Sequence, residues 1–546
     1  MRLFPMKSCP VRVLFAQAGA VLAFAALLGG CGDNYRPVVT PIGTNGPPAQ
    51  PTSYTIVAST TGALTPGVVT IIDYSGDSIL TEAQIGPGPK VFTLDQTGST
   101  GYTVNSDGTL SNFAISSSLQ TKNVSESTLP PTSQPVNLFS PTSGLWAADL
   151  NNGKPNANCN IPNIQCDVAD LFTGSPQAFK LAVPLVTSAT PGTPGSLGMV
   201  MPVFIAGTST TSGQREYVLS QNVPDTPAGQ ITCNNPANFA SVPAGVATPI
   251  EISSNTTDPA IPVGKCPVFA VETSNLQRLF VLDRGDDTIT VIDTRNNTPD
   301  TCTPFQNQSG QWITCHPAIQ LPAGSGPIDA EYNQATQQLV VANYDGGTIS
   351  VVNVPLDEYG NDSNTYTNPS CTVGGVTSYA NCGPVTGGFG LVTTIKVGNT
   401  ATPNPAGVTV LADGSKAYTA NQNDDSGTGN GTVTAVNLYT YTVEKTITVV
   451  GHPRTVVNTQ NSEYSKIYVA SPDSPFITII ESSPTVTDLI DTTVLVEGTV
   501  VDVRTTTQTG SSGNNNYSSR VPGYGQPCNL PGAASLASLA ACQATP

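Results

Sequence analysis

The chain has 546 residues, of which only 10% are Asp, Glu, Lys or Arg, and it carries 51 Gly and 47 Pro. Ordinary soluble domains hold about 25% charged residues, so coiled coils and long solvent-facing helices are disfavoured, and the Gly, Pro, Thr, Ser, Val and Asn content predicts an all-β protein with many turns. A formal charge of −17 leaves no basic stripe for a phosphate backbone and excludes nucleic acid as a partner.

At the N-terminus, Arg2, Lys7 and Arg12 accompany an apolar run from Val13 to Leu28 broken by Gln17, and Gly29-Gly30-Cys31 follows. This pattern predicts a secretion signal over 1–30. Small residues ahead of a cysteine resemble the lipobox of bacterial lipoproteins. The resemblance implies a lipid on Cys31 that anchors the protein to a membrane of the cell envelope, with Gly32 favouring the outer membrane. Residues 31–53 are rich in proline and predict an extended tether. Beyond them no run reaches the ~18–20 apolar residues that a membrane-spanning helix needs.

Of the 12 cysteines, Cys9 falls in the signal and Cys31 is taken by lipid. The rest are expected to pair in an oxidising compartment. Taken as neighbours they are Cys159 with Cys166, Cys233 with Cys266, Cys302 with Cys315, Cys371 with Cys382, and Cys528 with Cys542, each closing a polar loop. Sequence alone leaves the connectivity open. No pair has CxxC spacing and the histidines are His316 and His452, so a Cys/His zinc site has no clear ligand set.

Internal repetition decides the fold. Leu279 to Asp293 reads LFVLDRGDDTITVID and Leu339 to Asn353 reads LVVANYDGGTISVVN; the plan recurs at Ala417 to Asn437 and in IYVASPDSPFITIIE from Ile467 to Glu481. Each copy is an alternating strand, a turn rich in Asp, Asn and Gly, and a second alternating strand, which describes a β-hairpin. The residues ending the second strands (Asp293, Asn353, Asn437, Glu481) read as structural punctuation that accepts hydrogen bonds from the next turn. A Gly, a short gap and a Pro precede several hairpins, as in Gly86 to Pro89, Gly326-Pro327 and Gly451-His452-Pro453. Extended segments on either side of that signal supply two further strands, and four antiparallel strands per repeat describe a propeller blade.

These repeats resemble the YVTN-type β-propeller family, related to surface-protein and lactonase-like propellers. The likeness is good over Val268 to Thr507 and weaker before it. It implies a β-propeller of four-stranded antiparallel blades over 54–507, seven by the family pattern and eight if Leu145 to Phe172 and Val203 to Leu219 are separate blades. At about 57–65 residues per blade the repeats exceed the ~40–45 of compact propellers, and the excess is loop insertion. Thr499 to Thr506 has no hairpin after it and is expected to join the first blade, closing the ring and removing an exposed edge. Residues 508–546 read as a flexible tail with a Cys528–Cys542 loop.

No GxSxG elbow, P-loop, strand-coupled GxGxxG or HExxH is present. His452 lies where the chain enters an inner strand, near one mouth of the central channel. Lys90, Asp329 and Arg454 follow the same signal and are candidates, with His452, for a polar ligand site on the axis. Asp283, Asp286 and Asp287, and Asp424 and Asp425, supply hard oxygens on turns and are candidate Ca²⁺ ligands, although neither set matches an EF-hand loop. Arg284-Gly285-Asp286 spells an adhesion tripeptide, but its place in a hairpin turn accounts for it. Two functional classes remain: an envelope-anchored binding or scaffold module for a protein or glycan, and a lactonase-like hydrolase or isomerase with a polar or metal site at the channel mouth. Fold analogy does not select between them.

Overall fold

Eight four-stranded antiparallel sheets follow one another along the chain, so the larger of the two blade counts is the observed one. The computed structural model describes residues 53–506 apart from segments within loops, the longest being 116–123, 151–166, 186–200, 224–231, 356–371 and 378–388. The signal, nearly all of the tether, Cys31, the tail and Cys159, Cys166, Cys302, Cys371, Cys382, Cys528 and Cys542 lie outside the described residues. Among the described residues no helix is long and apolar enough to cross a membrane.

The inner strands, in blade order, are Thr499–Thr505, Pro89–Leu94, Pro135–Phe139, Pro202–Thr208, Pro267–Glu272, Pro327–Asn333, Pro405–Val410 and Thr455–Asn458. Thr499–Thr505 pairs with Tyr54–Thr60, which is the closure expected from the sequence: the chain's late strand completes blade 1. Tyr54 N donates to Thr506 Oγ1 at 2.8 Å, sealing the seam across 452 residues. The two segments that matched the repeat poorly are separate blades. Leu145–Asp149 and Val168–Thr173 form the middle of blade 3, and Pro202–Thr208 and Arg215–Ser220 begin blade 4. In blades 4 and 5 the outer strand is split, into Thr256–Thr257 with Ile261–Lys265 and Thr298–Pro299 with Ala318–Gln320.

Proline opens six of the eight inner strands because it lacks the N–H that a ladder would use, and its fixed φ suits a strand's first residue. The ladder register shifts just after it, as between Pro89 and Val91, Pro327 and Asp329, and Pro405 and Gly407. A glycine of the preceding blade packs on the proline. A Cβ at Gly431 would come within 2.4 Å of Pro453, and one at Gly67 within 2.6 Å of Pro89.

A second device recurs at the end of the second strand in blades 2, 6 and 7. Asn105 Nδ2 donates to Thr109 Oγ1 and Ser111 Oγ at 2.9 and 2.8 Å. Asn343 does the same to Thr348 and Ser350, and Asn421 to Thr432 and Thr434. The far hydroxyl also accepts a backbone N–H from a glycine at the end of the previous blade: Gly86 to Ser111 at 3.0 Å, Gly398 to Thr434 at 3.0 Å. This bracket couples a strand end, a neighbouring strand and the adjacent blade, which explains why the glycine of the Gly-to-Pro signal is needed. The strand-end punctuation holds where its partners are described: Asn437 Oδ1 accepts from Tyr439 N and Thr440 N at 2.8 and 3.0 Å, and Asp293 Oδ1 from Arg295 N at 3.0 Å.

The core lies between blades. Residues buried on facing sheets form a chain of clusters, such as Val340, Ala342, Ile349 and Val351 of blade 6 against Val408, Val410, Ala417 and Val436 of blade 7. This is why the strands read as near-continuous runs of Val, Ile, Ala and Tyr: each blade is covered on both faces.

Candidate functional site

The face at which the inner strands begin carries the hairpin turns and an ordered insertion. Thr232–Asn234 and Pro236–Ser241, two 3-10 turns ahead of blade 4's third strand, are joined to blade 5 by the Cys233–Cys266 disulfide, as the neighbour pairing expected. Cys315 is also disulfide-bonded; its expected partner Cys302 lies outside the described residues. Lys265 Nζ donates to Phe239 O and Ala240 O at 3.2 Å each, and Arg284 Nη1 to Cys233 O at 3.1 Å. The insertion is thereby held down on the entry face.

Arg284 is 1% exposed and grips Asp345 through Nε and Nη2 at 2.9 and 2.7 Å. Its guanidinium lies 5.7 Å from the ring centre of Phe239 and 5.6 Å from that of Tyr344. The Arg-Gly-Asp tripeptide therefore has a buried arginine, and the hairpin account of it stands. Arg284, Tyr344 and Gln422 each follow the strand-end Asp or Asn of blades 5, 6 and 7. Tyr344 Oη lies 3.5 Å from Gln422 Oε1 and from Asn423 Nδ2, and Asn404 Nδ2 donates to Tyr344 O at 2.9 Å. One column of the repeat thus lays a polar layer across three blades. Sequence reasoning passed over these residues, although reading the column after the strand-end Asn would have found them.

His452 sits in the tight entry to blade 8. Gly451 has φ +73°, and a Cβ there would meet Asp473 Oδ1 at 2.6 Å, so glycine is required. His452 N donates to Asp473 Oδ1 at 2.8 Å, and its Nδ1 is 2.5 Å from Asp473 Oδ2. Its Nε2 is 4.0 Å from Asp425 Oδ2. Burial pushes Asp473 up, but the hydrogen bonds and charge of His452 outweigh that and hold it below the usual range. Asp425 is held low by the N–H groups of Thr428, Gly429 and Gly427.

Arg454, two residues on, is buried, and its Nε and Nη1 have no hydrogen-bond partner among the described residues. Desolvation pulls it down to about 10, partly countered by Tyr344, Asp473 and Asp502. Those neighbours belong to blades 6, 8 and 1, and blade 6 reaches the other two only near the axis.

The other candidates separate. Lys90 is exposed. Asp329 is 1% exposed and lies one strand position beyond Lys90 and Arg454 relative to the opening proline; its Oδ2 accepts from Val408 N of the next blade at 2.9 Å. Asn137 of blade 3 accepts from Ile205 N of blade 4 at 3.0 Å in the same way, so Asp329 is a tie between inner strands. The alignment on the proline missed this because the bulge turns successive side chains to different neighbours.

The acidic turns are bound to different partners. Asp283 takes the place of the bracket asparagine: its Oδ2 accepts from Thr288 Oγ1, Thr290 N and Thr290 Oγ1 at 3.3, 3.1 and 2.6 Å. Asp286 Oδ2 accepts from Lys265 N at 2.7 Å, and Asp287 from Gly324 N and Gly326 N at 2.7 Å each. Asp424 accepts from Asn399 N, Thr400 N and Thr432 Oγ1. Among the described residues no three His, Cys, Asp or Glu side chains come together as a metal site.

Fold and mouth define an eight-bladed β-propeller with a polar entry face. No protein-family model matches the chain, and no curated protein matches it in sequence. Solved structures do match in shape. Dihydro-heme d1 dehydrogenase NirN, in complex with DHE, is similar with a TM-score of 0.50 and 11% identity, over 85% of this chain and 78% of that one. The periplasmic gluconolactonase PpgL of Pseudomonas aeruginosa has a TM-score of 0.44 and 13% identity over 83% of this chain and 98% of its own. AztD of Citrobacter koseri has a TM-score of 0.46 and 11% identity over 83% and 97%. At such identities the likeness concerns the fold alone.

Proposed function

We propose that the protein is an exported lipoprotein of the YVTN-type propeller family, anchored in the cell envelope through Cys31, that acts as a binding or scaffold module and takes its protein or glycan partner on the entry face. The observation that carries this reading is the ordered insertion over that face, tied by Cys233–Cys266 and by Arg284. A loop fixed at several points presents a defined surface and loses little entropy on binding. Two tests address the two parts. Metabolic labelling with an alkyne fatty acid is expected to mark the wild type and not Cys31→Ser. A photocrosslinking residue placed in cells at His452 or Asn423 is expected to give a discrete adduct, whereas one at Leu489 on the outer strand of blade 8 gives none. Adducts equal at all three positions would refute a dedicated entry-face partner.

The second reading, a lactonase-like hydrolase, is favoured by one observation: His452 and Asp473 are joined as a pair beside Asp425. A histidine oriented by a carboxylate is a general-base arrangement. Turnover of a panel of lactones that is lost in His452→Ala would establish it, and no turnover by the wild type would remove it.

A further inference from the structure

Arg454 is the charged group at the mouth whose environment does not account for it. The other buried arginines are paired, Arg284 with Asp345 at 2.7 Å and Arg278 with Asp300 at 3.0 Å. Arg454 is 6% exposed, and its Nε and Nη1 are shut from solvent without an acceptor among the described residues. The nearby carboxylates are engaged elsewhere: Asp473 with His452, and Asp502 with Arg504 Nε at 3.0 Å and Val503 N at 2.8 Å. Even pulled down to about 10, the guanidinium is charged at neutral pH. Burying a charge without hydrogen bonds is costly unless something supplies them.

We infer that Arg454 anchors an oxyanion site at the channel mouth, which takes a small molecule bearing a carboxylate or a phosphate. Guanidinium donors suit these groups better than any other acceptor, because charge and hydrogen bonds are satisfied together. Water can accept from Nε and Nη1 but leaves the charge uncompensated. Tyr344, which acts electrostatically on Arg454, is hydrogen-bonded to Asn423 through its hydroxyl and to Asn404 through its carbonyl, and the chemistry of these amide and phenol groups suits a polar body such as a sugar attached to the anion. The inference deepens the binding reading of the entry face by naming a ligand chemistry, and it rests on that reading for its place in the protein's function.

The test is titration calorimetry on the folded chain from residue 32, at an ionic strength held constant with chloride so that screening does not change. The probes are acetate and glucuronate for the carboxylate arm, inorganic phosphate and glucose 6-phosphate for the phosphate arm, and glucose as the neutral control. One arm is expected to bind the wild type with a stoichiometry of one, and glucose is expected not to bind. Arg454→Met is expected to weaken that binding about 10- to 100-fold, the range for one charge-assisted hydrogen bond. Arg454→Lys, which keeps the charge on a narrower donor, is expected to fall between them. Without ligand, Arg454→Met should melt no lower than the wild type, since it removes a buried charge that nothing pairs. Binding by neither arm, or equal binding by wild type and Arg454→Met, would overturn the inference and leave a water-solvated arginine. Loss of the His452 and Asn423 crosslinks with anion binding intact would instead sink the partner reading and spare this one.

Discussion

Asp283 offers a test in which the protein supplies its own control. Three other blades place asparagine at its position, and each hydrogen-bonds the same pair of hydroxyls. In blade 5 the residue is a carboxyl with no exposed surface, and its Oδ1 has no partner among the described residues. Desolvation raises it to about 7, with the bonds from Thr290, Gly264 and Thr288 pulling the other way. An unfolded aspartate titrates near 3.9, so the shift is about 3 units, equivalent to about 4 kcal/mol. Between pH 4 and 7 the native state holds a proton that the unfolded state has released, so stability falls as pH rises through that window and is level above it.

Asp283→Asn removes this dependence. The amide can donate to Thr288 and Thr290 as its counterparts do, but Nδ2 no longer accepts from Thr290 N, a loss of about 1 kcal/mol. The variant should therefore be about 1 kcal/mol less stable than the wild type at pH 4 and about 3 kcal/mol more stable at pH 8, with a crossover near pH 5. For about 450 folded residues, an unfolding entropy of about 2.1 cal/mol/K each converts this to about 1 °C per kcal/mol. Thermal unfolding of both proteins at unit pH steps reads the difference, in which other titrating groups cancel. A difference independent of pH, or a variant that melts well below the wild type at pH 8, would refute the account of a protonated bracket aspartate.

Four further outcomes follow from contacts elsewhere. Lys416 Nζ meets Asp488 Oδ2 at 3.0 Å with both side chains buried, and Tyr418 Oη donates to Asp488 Oδ1 at 2.6 Å; Asp488→Ala should cost about 3–5 kcal/mol by denaturant unfolding, and Lys416→Met with Asp488→Leu should cost less than the single change. Glu216 is fully buried with neither carboxyl oxygen bonded among the described residues, and burial raises it far above the usual range; Glu216→Met should be neutral or stabilising at pH 8 by the same assay. The Cys233–Cys266 bridge spans 33 residues, so replacing both by serine should cost about 3–4 kcal/mol and open the insertion to limited proteolysis. EDTA should leave the melting midpoint within about 1 °C, and a drop restored by Ca²⁺ would assign a cation to the acidic turns.

The repeat was legible because a propeller blade is a local object. Its hairpins are written in consecutive residues, its turn chemistry is Asn, Asp and Gly, and closure by Thr499–Thr505 follows from a strand left without a hairpin. Blades 3 and 4 were harder to count because insertions separate their strands, and pairing across an insertion depends on register that composition does not carry. The candidate Ca²⁺ ligands failed to gather for a related reason. Asp283, Asp286 and Asp287 are close in sequence, yet they bond the blade's own strands, Lys265 on the incoming strand and the loop leading to blade 6, because successive turn residues face different neighbours.

Lys90 and Arg454 make the limit sharper. Both follow the proline that opens an inner strand, and the repeat alone gives them equal standing. Their environments differ because a residue at the mouth is surrounded by chain from other blades. Arg454 is buried and feels the charge of Tyr344, some 110 positions earlier, and of Asp502, some 48 later, while Lys90 stays exposed. Periodicity says which residues occupy equivalent places in the ring, and the identity of their neighbours depends on what each other blade brings to the axis. A functional site on a propeller axis is assembled by departures from the repeat, so it is legible where one column holds an odd residue. Arg284 and Tyr344, which follow the strand-end Asp or Asn of blades 5 and 6, are odd in this sense, and so is Arg454 among the Val, Ile and Ala that hold its place in blades 3 to 7. Comparing columns, rather than seeking motifs along the chain, is the reading that would have brought these residues together before any coordinates.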